Sequence, residues 1–509
     1  MNLWIDWRLQ KATSIADLAD SLPETLHLGP SHSCHEKLTV YDDFNGTIWR
    51  AGLALLSDDS GWLSLWQKNQ QILTTRMPQK NIRFWWQLPA GDLAEKLEKL
   101  IAIRAFTPRY KCLISTERLN VLNHDEKIVT RIELYRLEYD DSQPMFLVSL
   151  LGLRGYEEDF SRILKSLSPL NPQEVDRLTL RQLLAETGLQ TAEFSPVPKF
   201  NLLPEEPSEV AVSRMAEIFL SSARQYEAGI LADIDTEFVH QYRVNIRKAW
   251  SVINQFKNAY TAQRYQELKT GLKILGSRTN TLRDLDVFLL AQDQYINMLP
   301  EHLRPGLDAL YRRIKRRRTM AFKKVIEALD CAEYQLLVEQ ISQTLQQKPE
   351  LATKLSKTGI RSAVCHEGLS LYLKISTKGK NIDAETPDGK IHELRILGKK
   401  LRYLLELFGE LFPRRQIKQL VGDLKKIQDN LGRFNDYSVQ GLFMANIGQE
   451  KNITDEQRAS IYGLVAVLYN KQNQERSLVE TRLAQFCNSQ VVDEFQKLFS
   501  QPFAKDSEK

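Results

Sequence analysis

The stretch HQYRVNIRK at His240–Lys248 returns as HELRILGKK at His392–Lys400, 152 residues later and without a gap. The same offset relates Phe256 to Phe408, Leu268 to Leu420, Leu272 to Leu424, Lys273 to Lys425, Leu275 to Ile427, Asp284 to Asp436 and Val287 to Val439. Such colinearity is the sequence signature of a duplicated structural unit. Polar positions repeat together with apolar ones, although a duplication that served packing alone would need only the apolar positions. The repeat therefore predicts a binding surface.

Each copy of the motif has the spacing of an amphipathic helix. In the first copy His240, Arg243 and Arg247 follow at i, i+3 and i+7, which places them along one stripe of the helix. The corresponding stripe of the second copy consists of His392, Arg395, Lys399 and Arg402. An ordinary exposed face mixes Lys and Arg with Asp and Glu, whereas these stripes are almost wholly cationic and suited to anionic oxygens. A solvated basic face is the alternative, and two copies in register favour the binding surface.

The helices that follow the motif end with Leu282–Val287 in the first copy and Ile427–Asp436 in the second. With the duplicated His-x-x-Arg-x-x-x-(Arg/Lys)-Lys motif, these residues resemble CHAD domains over about residues 210–500. The resemblance implies two related helical bundles around a basic cavity that binds inorganic polyphosphate. Carried over by position, it implies a ligand-facing set of His240, Arg243, Arg247, Lys248, Lys273, Arg283, His392, Arg395, Lys399, Lys400, Arg402, Lys425 and Arg433. Asn435 stands where the first copy has Arg283, so the two halves are expected to differ.

The chemistry of the ligand agrees with this set of residues. Polyphosphate carries roughly one negative charge per phosphate along a flexible thread, so it requires many cationic donors spread over a groove. Arginine and lysine supply permanent charge, and a histidine among phosphates would favour its protonated form. The alternative for either histidine is a neutral helix residue that is hydrogen-bonded to a backbone carbonyl.

The 509 residues suit two or three domains, and the formal net charge is +5. Residues 201–509 carry 46 Lys and Arg against 38 Asp and Glu, or +8, while the first 200 carry 23 against 26, or −3. The densest basic run is Arg312–Arg318, continued by Lys323 and Lys324. Arg313 and Arg317, one turn apart, are the members of this run expected to help form the cavity, although a solvent-exposed face is the more common role.

The period of the apolar residues changes along the chain. Up to about residue 165 it has the alternation and short runs of strands, as at Leu53–Leu56, Trp62–Trp66 and Ile132–Tyr139,. Four prolines between residues 196 and 207 then indicate a linker, and beyond them the pattern is helical to about Phe499.

In the β-rich part, Tyr41–Leu55 and Leu151–Tyr156 resemble the strand-loop-strand and the closing helix entry of CYTH domains. The resemblance implies the eight-stranded tunnel of the triphosphate tunnel enzymes, where a Glu-x-Glu-x-Lys start holds a divalent metal and the triphosphate. This chain has Trp4-x-Asp6-x-Arg8 there, Leu56 where the family has a cation, and only Glu133 of an alternating carboxylate series. Since Mg²⁺ needs several oxygen ligands, hydrolysis by the family mechanism is not expected.

We therefore predict an α+β multidomain protein. It comprises a tunnel-like, antiparallel β-barrel in residues 1–194, a linker in 195–208, and an all-α domain of two pseudo-symmetric helical bundles in 209–500, with repeats near 209–330 and 361–500. No catalytic residue, metal or cofactor is assigned. A residual anion pocket in the barrel, for which interior salt bridges are the alternative, would use Asp6, Arg8, Lys68, Arg83, Arg109, Lys111, Arg131 and Glu133.

Five scattered cysteines without a CxxC pair favour a reducing compartment. The run His32–Glu36, HSCHE, offers metal-ligand types, but without a second ligand cluster it is predicted to be a loop. No targeting signal and no span of 18 apolar residues occurs. These features predict a cytoplasmic protein, with polyphosphate granules as a place of association.

Three functions of different class remain. The first is polyphosphate binding by the helical domain, with polyphosphate granules or polyphosphate-metabolising enzymes as partners and no membrane. The second is hydrolysis of triphosphate or polyphosphate through the N-terminal tunnel, against which the missing acids argue. The third is nonspecific nucleic-acid binding by the basic groove, since aromatic stacking residues are few near the stripes.

Overall fold

The computed structural model describes residues 4–9, 14–67, 70–79, 81–139, 144–175, 199–383 and 385–500. The chain divides into two compact units, Met1–Val197 and Pro198–Lys509. In the described residues no helix is long and apolar enough to cross a membrane.

The N-terminal unit is an antiparallel sheet of ten strands. They are β1 (Trp4–Leu9), β2 (Leu26–Leu28), β3 (His32–Asp42), β4 (Leu53–Asp58), β5 (Trp62–Gln67), β6 (Gln70–Arg76), β7 (Thr107–Asn123), β8 (Ile128–Tyr139), β9 (Met145–Gly152) and β10 (Gln173–Val175). The strand order is β10-β1-β9-β8-β7-β3-β4-β5-β6, and β2 pairs with β7. The helices of this unit are α1 (Ile15–Ser21), α2 (Thr47–Arg50), α3 (Asp92–Ile101) and α4 (Glu157–Ser166). Among the described strands no pairing joins β10 to β6, so closure into a tunnel stays a prediction.

Alternation along the strands gives the sheet two different faces. One face buries residues such as Trp7 and Leu150 against Leu18 of α1 and Phe160 of α4. The other face carries a second apolar cluster of Cys112, Ile114, Leu137, Met145 and Leu147. Both faces of the central strands are therefore covered by apolar side chains.

The prediction of a loop at His32–Glu36 was wrong, because these residues form the start of β3. They pair one by one with β7, from His32 opposite Arg118 to Glu36 opposite Ile114. The side chains are exposed, so burial gives no strand signal there, and the pairing with the long strand β7 decides the conformation.

The second unit is helical. Its helices are α5 (Ser208–Arg224), α6 (Glu227–Leu231), α7 (Thr236–Gln255), α8 (Ala262–Ser277), α9 (Asn280–Leu290), α10 (Gln292–Asn297), α11 (Arg304–Asp330), α12 (Ala332–Gln346), α13 (Lys354–Lys357), α14 (Ile360–Gly379), α15 (Asp388–Leu407), α16 (Arg414–Gly448), α17 (Asp455–Ser477), α18 (Val479–Phe486) and α19 (Ser489–Ser500). The predicted α+β class, an antiparallel sheet followed by a helical region, is confirmed. Residues 199–207 of the predicted linker belong to this unit, where Phe200 packs on the ring of Phe219 and Leu202 N donates to Glu410 Oε1.

The 152-residue offset also relates the helix boundaries. It takes α7 onto α15 at both ends, and it takes the first residues of α5 and α8 onto the first residues of α14 and α16. Short 3₁₀ turns at Lys257–Ala259 and Gly409–Leu411 correspond in the same way. The sequence repeat is therefore a structural repeat.

Contacts between equivalent residues mark a pseudo-twofold axis between the two bundles. Ser208 N donates to Thr358 O at 3.0 Å, and the equivalent Ile360 N donates to Glu206 O at 2.8 Å. Farther along, the buried rings of Phe256 and its equivalent Phe408 lie 5.4 Å apart. Only residues near a twofold axis meet their own equivalents. The axis therefore passes beside the C-terminal ends of α7 and α15, the two motif helices.

Candidate functional site

The two motif helices meet near the axis and bring their cations together. Gln255 Nε2 of α7 donates to Lys400 O of α15 at 3.0 Å. Arg247 of α7 is exposed, and its charge acts on cationic side chains of both repeats. We call the resulting group the basic cluster: His240, Arg243, Arg247 and Arg283 of the first repeat, with Arg395, Lys399 and Arg402 of the second.

The electrostatics of the basic cluster disfavour its own positive charge. Burial and the positive charges of Arg283, Arg247 and Arg243 lower the pKa of His240 to about 4. Burial and the charges of Arg395 and Arg247 lower the pKa of Lys399 to about 8. Desolvation and like charges both disfavour the protonated forms, so the positive charges of the basic cluster repel one another.

In the first repeat Arg243 is held by hydrogen bonds to residues at the break between two helices. Its Nη1 donates to Gly276 O at 2.9 Å, to Thr279 Oγ1 at 3.2 Å and to Asn280 Oδ1 at 2.5 Å, where α8 ends and α9 begins. The last carbonyls of a helix lack intrahelical partners, so they are available to a guanidinium. Arg283 lies on α9, and its buried Nη1 has no hydrogen-bond partner among the described residues.

The second repeat differs because α16 runs without interruption through the positions where α8 and α9 are separated. Arg395 therefore has no broken helix end to bind, and its buried Nε is without a hydrogen-bond partner in the described residues. Its Nη2 lies 3.6 Å from Asp436 Oδ1. His392 Nδ1 lies 2.8 Å from Asn435 Oδ1. Because a carboxamide oxygen only accepts, Nδ1 donates there and Nε2 stays available for another partner.

Family comparison places these features in context. Residues 214–445 match the family model of the CHAD domain. The helical unit contains a CHAD domain. The resemblance of the duplicated motif to this family is thus confirmed, and the N-terminal sheet is consistent with a tunnel-like fold, while its resemblance to CYTH domains stays a prediction.

The chain is also similar to several solved structures. The crystal structure of the CHAD domain from the plant Ricinus communis is 18% identical, covers 56% of this chain and 94% of its own, and gives a TM-score of 0.48. PptA from Streptomyces chartreusis is 13% identical, covers 54% and 99%, and gives 0.41. The PH1819 protein from Pyrococcus horikoshii OT3 is 10% identical, covers 36% and 99%, and gives 0.19. No curated protein matches the chain.

The remaining predicted cations of the CHAD domain differ in exposure and contacts. Lys248 Nζ lies 5.5 Å from the centre of the Phe219 ring, and burial lowers its pKa while the nearby Glu406 opposes the shift. Arg402 Nε donates to the same Glu406 at 2.6 Å. Lys400 is half-buried on α15, while Lys273 on α8 and Lys425 on α16 are exposed.

Three predicted arginines are held in ion pairs instead. Arg313 Nη2 and Arg317 Nη2 both bind Glu450 Oε2, at 2.8 Å and 2.5 Å. Arg433 Nε binds Glu475 Oε1 at 2.5 Å and thereby joins α16 to α17. Sequence spacing does not reveal Glu450, which follows α16, and the expected role of Arg313 and Arg317 in the cavity stays a prediction.

Sequence reasoning did not assign the acidic members of the site. Asp284 lies near Arg243 and Arg283, whose charges oppose the rise in its pKa caused by burial. Asp436 pairs with Arg395 in the second repeat. The 152-residue offset relates these two aspartates, and this equivalence is the signal that could have placed both beside the cations. Each repeat thus contains a carboxylate that partly neutralises its arginine.

In the N-terminal unit the described residues of the predicted anion pocket lie in different environments. Glu133 accepts hydrogen bonds from Arg118 Nε at 3.0 Å and from the hydroxyl of Tyr135. Asp6 is buried and accepts from Trp4 Nε1 at 2.9 Å. The remaining predicted cations are placed as follows: Arg8 half-buried, Arg83, Arg109, Lys111 and Arg131 exposed, and Lys68 outside the described residues.

The face of the sheet that carries Asp6 and Glu133 continues into the apolar cluster around Leu137 and Leu147. Leu56 is 2% exposed and packs with Val40 and Ala54. In the part of the chain that the structure describes, no group of three or more His, Cys, Asp or Glu is placed to hold a metal ion. Among the described residues this face thus lacks the group of carboxylates expected at the metal site of a tunnel enzyme,.

Proposed function

We propose that the CHAD domain binds inorganic polyphosphate through the basic cluster. The observation that carries the proposal is the pair of buried guanidinium N–H groups, Arg283 Nη1 and Arg395 Nε, that have no hydrogen-bond partner among the described residues. An unsatisfied buried donor costs about 1–3 kcal/mol, and more when it is charged. A chain of phosphates would supply acceptors to both donors.

The placement of the cations favours a long anion over a small one. Arg247 lies between the cations of the two repeats, so the cluster extends across the pseudo-twofold axis. A single phosphate would neutralise one half and leave repulsion in the other. A polymer of phosphates would contact both halves at once and relieve the repulsion throughout.

The binding experiment uses the full chain, with long-chain polyphosphate titrated over a salt series and duplex DNA as competitor. We expect binding that persists at near-physiological salt and in excess DNA. In the double variant Arg247→Gln/Lys399→Gln the affinity should fall by about tenfold or more, since two charge-assisted contacts are lost. The matched variant Arg414→Gln/Lys418→Gln removes an exposed arginine and lysine elsewhere on the domain and should stay within about twofold.

Two results would contradict the proposal. Equal loss of affinity in both variants would show that only the net charge matters. Equal competition by DNA, together with loss of binding as salt rises, would make the cluster a generic polyanion surface.

The location follows from the same activity. A protein with this site is expected to collect where polyphosphate is concentrated, at cytoplasmic granules. A fluorescent fusion of the wild-type chain should co-localise with granules, and the Arg247→Gln/Lys399→Gln fusion should be diffuse. Retention of the variant on granules would indicate a protein partner there instead.

A further inference from the structure

Helix α11 carries a second, separate line of cations. Between Arg312 and Lys324 its exposed residues recur at i, i+3, i+4, i+7, i+8, i+11 and i+12: Arg312, Lys315, Arg316, Thr319, Met320, Lys323 and Lys324. This spacing places them on one face of the helix. The next exposed residue of this face, Glu327, is an acid at its C-terminal end. We call the five cations of this face, Arg312, Lys315, Arg316, Lys323 and Lys324, the α11 stripe. From first to last it extends over about 18 Å at 1.5 Å per residue.

The α11 stripe is not neutralised by the fold. The arginines that turn inward from the same helix are paired: Arg313 and Arg317 with Glu450, and Arg318 with Asp233 and Asp286. Within the described residues, none of the five cations of the stripe has an ion pair or a side-chain hydrogen bond. An ordinary exposed helix face would alternate such cations with acids. Five uncompensated charges on one face form a track of positive potential.

A cavity lies between α9 and α11. It has a volume of about 450 Å³ and is lined by residues of α9 and α11, among them Asp284, Arg317, Met320 and Lys324. The Asp284 carboxylate at its wall lies near Arg243 and Arg283 of the basic cluster, and Lys324 belongs to the α11 stripe. The cavity therefore borders both groups of cations. Arg278, which ends α8, adds a further cation to its wall.

We propose that the α11 stripe is an extension subsite for long polyanionic chains. This inference rests on the proposed binding of polyphosphate by the basic cluster. A chain held at Arg283 continues past the cavity to Lys324 and then follows the stripe toward Arg312. A short chain ends within the basic cluster and does not reach α11. The stripe thus gives the protein a preference for chain length, through additional contacts and not through a different binding mode.

The test compares tripolyphosphate with long-chain polyphosphate on three full-length proteins. The stripe variant replaces the five cations of the stripe by glutamine. The control variant replaces two arginines and three lysines that are exposed elsewhere on the domain: Arg414, Arg415, Lys418, Lys354 and Lys357. Both variants lose the same charge. All ten side chains are exposed, so helicity and thermal stability should match the wild type, which circular dichroism checks.

We expect the stripe variant to bind long chains at least about tenfold more weakly, with the slope of log K against log salt reduced by roughly 3 to 4, as for five contacts to a single-stranded polyanion. Its affinity for tripolyphosphate should stay within about twofold, and the control variant should change little with either ligand. If the variant with all five substitutions proves unstable, the double variant Arg316→Gln/Lys323→Gln gives the same comparison with a smaller loss of affinity.

The possible failures are distinguishable. If the wild type binds neither ligand, the proposed function is refuted. If the wild type binds both and the stripe variant equals the control, only the extension subsite is refuted. Equal weakening with short and long chains would also overturn it, because the stripe would then not be specific to long chains. Loss of duplex DNA binding with unchanged polyphosphate binding would assign the stripe to nucleic acid.

Discussion

Replacing Lys399 by methionine should stabilise the free protein and weaken its binding of polyphosphate. Burial, Arg395 and Arg247 lower the pKa of this lysine from 10.5 to about 8. At pH 7 the side chain is therefore charged in an environment that disfavours its charge. Methionine keeps much of the length and the apolar contacts of the lysine stem without the charge.

The size of the effect follows from the pKa. The difference between 10.5 and about 8 corresponds to about 3 kcal/mol,. Lys399 is only partly buried, so solvent screening reduces the gain to roughly 1–2 kcal/mol. For a unit of this size the melting temperature should rise by roughly 2–6 °C. Affinity for polyphosphate should fall by about tenfold through the loss of one charge-assisted contact.

The dependence on pH separates charge from packing. The folded-state pKa of Lys399 lies below the unfolded value, so between about pH 8 and 10.5 the unfolded chain binds the extra proton,. Wild-type stability should therefore gain in this window, and the advantage of Lys399→Met should be largest at pH 7 and small at pH 10. Urea unfolding followed by far-UV circular dichroism measures both values.

Lys400→Met provides the control. Lys400 is half-buried on the same helix, but its charge lies near Glu367 and opposes the rise in the pKa of that carboxyl. We expect no gain in stability from its replacement. A loss of stability in Lys399→Met at pH 7, or a gain that is the same at pH 7 and pH 10, would refute the argument that repulsion within the basic cluster destabilises the free protein.

Three further predictions concern other parts of the CHAD domain. Phosphates should raise the pKa of His240 from its value of about 4. Polyphosphate affinity should therefore increase from pH 7 to pH 5 more in the wild type than in His240→Gln. Parallel pH profiles of the two proteins would show that this histidine does not contribute to binding. Phe408→Ala should cost about 3–5 kcal/mol in urea unfolding, because the fully buried ring packs on Phe256 at the axis,; a cost below about 1 kcal/mol would contradict that role. Glu209→Gln should cost about 3–5 kcal/mol by leaving the buried Arg264 without its carboxylate,; partial recovery in Glu209→Leu/Arg264→Met is expected, and its absence would argue against an unpaired charge as the cause.

Much of the helical unit could be predicted from the sequence because a duplication constrains two regions at once. The offset between His240 and His392 also relates both ends of the motif helices and the first residues of α5 and α8 to those of α14 and α16, since equivalent residues occupy equivalent positions. The same offset relates Phe256 to Phe408, whose rings pack together in the structure. One observation in the sequence therefore determined the repeat, the motif helices and the cations that meet between them.

What the sequence could not provide were contacts between residues that no repeat relates. Glu450 holds Arg313 and Arg317, and Glu475 holds Arg433. These acids lie on segments that are brought to the arginines only by tertiary packing. The spacing of arginines along a helix does not show whether they are exposed or ion-paired. In the N-terminal unit the strand at His32–Glu36 escaped prediction for a similar reason, since its pairing with β7 and not its own composition decides its conformation.

The differences between the two repeats have one structural origin. A break between α8 and α9 gives Arg243 backbone and side-chain acceptors. The continuous α16 leaves Arg395 with a buried Nε that has no hydrogen-bond partner among the described residues, and with the Asp436 carboxylate 3.6 Å from its Nη2. Arg283 stands beside His240, and Asn435 stands beside His392. In the first repeat Arg243 is thus fixed by hydrogen bonds and the neighbouring cations repel one another strongly. In the second repeat the cation Arg395 is less constrained. A polyphosphate chain should therefore satisfy Arg395 and His392 through new hydrogen bonds, and it should act on His240 mainly through charge.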